Sequence, residues 1–212
     1  MHDDQASTHP AKSALARRME EYRFPPGYRT MFLATVDAFA EKGFHGTSTR
    51  DIAARAGMSP AALYAFFSSK EEALFKIAIS AMDLTVDLLT AEAEHGDDPA
   101  ERLHHVVKTF TAWHASNNPV SRVVLYQLDA LTPEHMAEVA DRARGIDRIF
   151  RAILQQGVDA GDFTASDTRA AATAIMSLCL DVTRWYRPGN RRSPEEICDL
   201  NARLALSIAR TA

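Results

Sequence analysis

No run of apolar residues in this chain approaches the roughly 20 that a helix needs to cross a bilayer, and its 212 residues include only two cysteines, Cys179 and Cys198. A membrane role therefore has no support. So few cysteines leave no disulfide framework and no paired-thiolate metal site, so both read as free, buried thiols. With no signal-peptide pattern at the start, the expected location is cytoplasmic. No segment alternates apolar and polar residues with period two, so no strand is expected. A glycine-rich phosphate loop and a Gly-x-Ser-x-Gly elbow are also missing, so no catalytic residue and no cofactor is expected. Nor is there an excess of positive charge: 24 Lys and Arg stand against 28 Asp and Glu, a formal net charge of −4. Any affinity for a polyanion must come from a local basic surface.

What is present is helical periodicity from Pro26 onward, enough for about nine helices in an all-α fold. Charge is distributed unevenly. Arg17, Arg18, Arg23, Arg29, Lys42, Arg50, Arg55, Lys70 and Lys76 enrich the first third in cations, whereas Asp83, Asp87, Glu92, Glu94, Asp97 and Asp98 follow in the middle. The most informative stretch runs from Thr47 to Phe67. Ser48 and Asp51 form a capping box that opens a short helix, with Ile52 and Ala53 on its inner face. Gly57 stands where that helix must end in a left-handed residue. Ser59 then caps a second helix whose first position is Pro60. Leu63, Phe66 and Phe67 are spaced to pack inward, while the small Ala61, Ala62 and Ala65 leave a thin face able to approach a groove wall. The pattern is a DNA-binding helix-turn-helix.

The chain resembles the TetR family of bacterial transcriptional regulators. The resemblance covers Arg29 to about Met82 and rests on Ala38-Phe39-Ala40-Glu41-Lys42-Gly43-Phe44, Thr47-Ser48, Asp51-Ile52-Ala53, Ala56-Gly57, Leu63-Tyr64, Phe67 and Ser69-Lys70-Glu71. It implies 26–76 as the helix-turn-helix domain and 77–212 as a helical domain that binds an effector and dimerises; residues 1–25, closed off by Pro25-Pro26-Gly27, are expected as a flexible arm. Carried over by position, Arg50 reaches a base edge or phosphate, and Thr49, Tyr64 and Lys70 hold the phosphate backbone. Ser59, Ala61, Ala62 and Ala65 form the face nearest the bases. Phe66 stands where the family often has histidine, so no phosphate contact is carried over there. The partners implied are double-stranded operator DNA of inverted-repeat form, a small hydrophobic effector and a second copy of the chain. As a basic arm, Arg17-Arg18 could also reach a minor groove; a solvated tail is the alternative.

Beyond the motif, Ser69 to Glu72 reads as another capping box opening a long helix to about His95. Asp98-Pro99 starts the next helix, which breaks at Asn117-Asn118-Pro119, and Val120 to about Leu131 forms another. Thr132-Pro133 opens a helix ending at Gly161, Ser166 or Asp167 the penultimate one, and Ser193-Pro194-Glu195-Glu196 the last. The last two helices are apolar beyond one stripe, as a dimer interface requires. Internal aromatic, Met and polar positions make Met82, Phe110, Trp113, Tyr126, Gln127, Met136, Met176 and Trp185 the effector candidates, each more readily read as ordinary core. Thr183-Arg184-Trp185-Tyr186-Arg187-Pro188-Gly189 resembles a TetR subgroup responding to coenzyme A thioesters, with Arg184 and Arg187 facing phosphates; the same residues also suit a turn anchor. Glu92-x-x-His95 and Glu101-x-x-His104 have metal-ligand spacing but flank an acidic turn, so no metal site is expected. The competing reading is a helical small-molecule-binding protein or enzyme without DNA binding, which stoichiometric iron or manganese would mark.

Overall fold

The computed structural model describes residues 25, 27–187 and 189–211. The expected arm, with Arg17 and Arg18, lies outside the described residues except for Pro25. Among the described residues there are nine α-helices, one 3-10 turn and no strand. Helix α1 (Tyr28–Gly46) breaks its helical dihedrals at Gly43 (φ 73°, ψ 165°), where the sequence places the stop, and one further turn carries on to Gly46. Helices α2 (Thr49–Ala56) and α3 (Pro60–Tyr64) follow, then the long α4 (Lys70–Ala93). Helices α5 (Pro99–Ser116), α6 (Asn118–Tyr126), α7 (Pro133–Ala160), α8 (Thr168–Trp185) and α9 (Pro194–Ala209) complete the order.

Most boundaries follow local chemistry. Asp98, Thr132, Asp167 and Ser193 each accept a backbone N–H of their helix's first turn, and Glu196 completes the box at Ser193. Three expectations change. Ser59 sits at the start of α3 with an extended backbone (φ −72°, ψ 152°) but its side chain makes no capping hydrogen bond. At α4 the Ser69 hydroxyl accepts from Glu72 N (2.9 Å), but the Glu72 carboxylate takes the N–H of Ser68 in place of Ser69. The extended Ser69 (φ −154°, ψ 169°) brings the preceding amide forward. The single helix expected over Val120 to Leu131 is instead α6 and a 3-10 turn, Leu128–Ala130. Gln127 leaves the helix at φ −132°, ψ 5° and donates its side-chain N–H to Phe39 O (2.9 Å). That tertiary bond outweighs local helix propensity.

Two hydrophobic cores result. The first gathers Met31, Phe32 and Phe39 of α1, Ile52 of α2, Leu63 of α3 and Leu74 and Ile77 of α4, and extends to Trp113, Val120 and Val123. The second gathers Leu103, Val106 and Phe110 of α5 with Phe150 and Leu154 of α7, Ile175 and Cys179 of α8 and Ala202 and Ala205 of α9. Each large side chain buried this way contributes about 1.5–3 kcal/mol before ordering costs. Helix α4 feeds both, through Ala73 to Leu84 in one and Leu89 in the other. It is the continuous helix joining the two halves.

Candidate nucleic-acid interface and effector cavity

The helix-turn-helix is assembled as its residues dictate. Ser48 Oγ accepts from Asp51 N (3.1 Å) while Asp51 Oδ2 accepts from Ser48 N (2.9 Å). The Ser48 hydroxyl, which donates to Asp51 Oδ2 (2.5 Å), and then the Ser48 N–H, ahead of the Lys42 ammonium at 3.1 Å, hold the Asp51 carboxyl well below the usual carboxylate range. Arg55 pairs with Glu41, so two ion pairs, Lys42–Asp51 and Arg55–Glu41, tie α2 to α1. Gly57 lies at φ 67°, ψ 27° with nothing within 4 Å of where a Cβ would stand. Its requirement is the left-handed backbone, not space.

The candidate DNA residues divide into two sets. Arg50 is exposed in the first turn of α2, with no intramolecular partner among the described residues, beside a half-buried Thr49. Ser59, Ala61, Tyr64 and Ala65 are exposed on or beside α3, with Tyr64 at 56%. Ala62, by contrast, leans on the first core. Lys70 is committed to the fold: its ammonium donates to Phe44 O (2.7 Å) and Thr47 O (2.8 Å) and lies 4.2 Å from the Phe44 ring centroid. It closes the carbonyl end of α1 against the start of α4, with two of its three N–H groups committed there. Phe66 is a core residue, edge-on to Tyr28 at 5.8 Å.

In the helical half, a small apolar cavity of about 50 Å³ lies where α4, α5, α6, α7 and α8 meet. Met82, Phe110 and Trp113 of the sequence-derived set line it, with Thr85, His114, Ser121, Val124 and Leu180 among the others. The remaining candidates stand apart. Gln127 faces α1, Met176 packs in the second core, and Tyr126 is 54% exposed with the Arg122 guanidinium 5.8 Å from its ring. Met136 is half-buried outside the lining. Trp185 is 46% exposed, and Arg184 reaches Asp181 at 3.9 Å on the outer surface of α8. The reason is rotational: the inner face of α8 is taken by Ile175, Cys179 and Val182, which turns Arg184 and Trp185 outward. Arg187 lines a separate polar cleft of about 460 Å³ with Arg55, Arg122, Asp37 and Glu41, between α1, α2 and the start of α6.

His114 is the residue that reading by aromatic and Met spacing passed over. It lies one helical turn after Phe110, edge-on to it at 4.6 Å, with Nδ1 3.0 Å from Ser121 Oγ. Burial pushes its pKa down to about 3. Its place one turn from Phe110 was the available signal. Burial likewise pushes the Cys179 thiol up to about 12 and Cys198 up to about 11, and both are free. Among the described residues no three His, Cys, Asp or Glu side chains converge as a metal site would need.

Residues 33–76 match the family of bacterial regulatory proteins, tetR family, and residues 96–209 match the tetracyclin repressor-like C-terminal domain. The chain belongs to the TetR family. It is a DNA-binding transcriptional regulator and not an enzyme. A tetR-family regulatory protein from Rhodococcus RHA1 is 36% identical with a TM-score of 0.84, covering 89% of this chain and 100% of its own. The transcriptional repressor KstR2 of Mycobacterium tuberculosis is 27% identical over 163 residues, 75% of this chain and 80% of that protein. AibR, solved in complex with isovaleryl coenzyme A and operator DNA, shares the fold with a TM-score of 0.77 at 24% identity, over 84% of this chain and 97% of its own. Among the described residues of this TetR-family protein, no helix is long and apolar enough to cross a membrane.

Proposed function

We propose that this regulator is a repressor that binds an inverted-repeat operator as a homodimer and leaves it when an acyl coenzyme A thioester enters the helical half. The carrying observation is that α4 walls the cavity with Ala81, Met82 and Thr85 while its first turns, from Ala73 to Ile77, lie in the core of the helix-turn-helix. About 50 Å³ is room for one or two water molecules, whose share of liquid volume is about 30 Å³ each. An acyl chain must therefore displace α4 or its neighbours, and a tilt of α4 moves the recognition elements. Two relatives support the ligand class: AibR is solved with isovaleryl coenzyme A, and a Bacillus subtilis fatty acid metabolism regulator is 24% identical over 76% of this chain. Phosphates of the coenzyme suit Arg187 and Arg122 in the cleft on the far side of α6, whereas Arg184 is turned away.

In this reading residues 26–76 contact DNA and 77–212 sense and dimerise. Arg50 reads a base edge, Thr49, Tyr64 and the spare N–H of Lys70 hold phosphates, and Ser59, Ala61 and Ala65 meet the groove floor, with Ala62 as their support. The dimer face is the outer side of α8 and α9, where Trp185 and Leu204 are exposed and Leu178, Leu200 and Ile208 half-exposed. A cytoplasmic location is part of this reading, supported by the two free thiols and the DNA target. Fluorescence anisotropy with DNA from upstream of its own gene, against unrelated DNA across a salt series, tests the reading. Selective, salt-sensitive binding that acyl coenzyme A thioesters abolish is expected. Equal weak binding to both DNAs, unchanged by any thioester, would overturn it.

A further inference from the structure

The polar side-chain groups of the cavity lining are those of Thr85, His114 and Ser121 together with the indole N–H of Trp113, and the hydrogen bonds of the first three show which group is left without a partner. Thr85 Oγ1 already donates to Ala81 O at 2.7 Å and has no proton left to give. A neutral imidazole carries one donor and one acceptor nitrogen. His114 Nδ1 meets Ser121 Oγ at 3.0 Å, and Nε2 is buried with no partner. If the Ser121 hydroxyl donates to Nδ1, both groups are satisfied and one unmet donor remains, Nε2–H. In the other tautomer Nδ1–H donates to Ser121 and two groups are unmet, the serine proton and the Nε2 lone pair. Unmet buried polar groups are costly, so the first arrangement prevails. The residues around the cavity include no Lys or Arg to offset a buried carboxylate.

We propose that His114 reads the effector by donating Nε2–H to a neutral carbonyl oxygen on an otherwise apolar acyl group, with Ser121 as the positioning residue that holds the tautomer. The proposal rests on the effector reading above and makes it specific: a thioester or ketone fits, a free carboxylate does not. An unmet donor in the ligand-free protein is a group held ready for a ligand acceptor, since it lowers stability and gains its partner only on binding.

The test uses the full-length protein with isovaleryl, octanoyl and phenylacetyl coenzyme A, and with the matching S-alkyl coenzyme A thioethers that lack the carbonyl. Wild-type protein is expected to bind its preferred thioester about tenfold more tightly than the thioether, the worth of one buried hydrogen bond. His114→Leu is expected to bind thioester and thioether alike, and to melt close to wild type because it exchanges an unmet Nε2–H for an unmet Ser121 hydroxyl. Imidazole 15N shifts of wild-type protein need no variant and should show the His114 proton on Nε2. A proton on Nδ1, equal affinity of wild type for thioester and thioether, or an unchanged preference in His114→Leu would overturn the role of His114 while leaving the effector reading intact. Failure of every thioester to bind wild type would overturn both.

Discussion

Arg50 and His114 show how differently single residues serve this molecule. Arg50 stands free at the start of α2, and a guanidinium set against a guanine edge discriminates by about 1–3 kcal/mol. Arg50→Ala should therefore keep the fold and the dimer yet lose selectivity among operator variants in competition anisotropy; unchanged ranking of the variants would remove it from the reading set. His114 is enclosed, and its folded pKa of about 3 lies far below its ordinary 6.5. Stability from this group is complete above pH 6.5. As pH falls from 6.5 toward 3, the unfolded chain takes a proton that the folded ring refuses, at about 1.4 kcal/mol per pH unit. Urea unfolding from pH 7 to pH 5 should show a shallower acid loss in His114→Leu than in wild type, and parallel slopes would contradict the assignment.

Whole helices in this fold are defined as much by their ends as by their faces. At the end of α7 the chain reverses through Gly161 (φ 82°), Asp162 N and Phe163 N both donate to Gly157 O, and the Phe163 ring folds over Gly157. A Cβ at Gly157 would stand 2.1 Å from that ring. Gly157→Ala should expel Phe163 and destabilise the protein by about 2–4 kcal/mol, of the order of losing a buried aromatic, read as a fall in the denaturant midpoint. The front of α4 is clamped differently. Glu71 Oε1 accepts from Thr132 N (3.0 Å) and faces His135 Nδ1 (2.8 Å), while the His135 ring stacks on Phe75 at 3.8 Å. This knot fixes the DNA end of α4 to the start of α7. Glu71→Ala should cost about 1–2 kcal/mol of stability and weaken effector-driven release from DNA more than effector binding itself, measured by titrating thioester with and without operator. Equal losses in both would assign the clamp to stability alone.

For the molecule as a whole, function depends on a second copy. Leu204 is 41% exposed on α9, so Leu204→Arg should leave the monomer fold within about 0.5 kcal/mol yet place a charge in the proposed apolar seam. Sedimentation is expected to show monomers, and operator affinity should fall by orders of magnitude because two half-sites are no longer joined. A variant that remains dimeric would move the interface elsewhere. At this scale the sequence was legible unevenly. The turn at Gly57 and the cap residues of α5, α7, α8 and α9 could be read directly, because each depends on residues within four positions of one another. The break at Gln127 could not, since its partner Phe39 is 88 residues away.

The same physical distinction separates the two candidate sites. Local chemistry alone determined that the chain is all-helical, that Thr47 to Phe67 forms a helix-turn-helix and that Arg50, Ser59 and Ala61 stand on its exposed face, because helix periodicity and short-range capping orient side chains without help from distant residues. Only the tertiary structure decided which aromatic and Met positions share a cavity, that Lys70 closes α1, that Arg184 and Trp185 face outward, and that a neutral histidine sits among apolar side chains. Those outcomes depend on how five helices are rotated against one another, and a face that is apolar at helical spacing looks the same in sequence whether it meets a neighbour or a ligand.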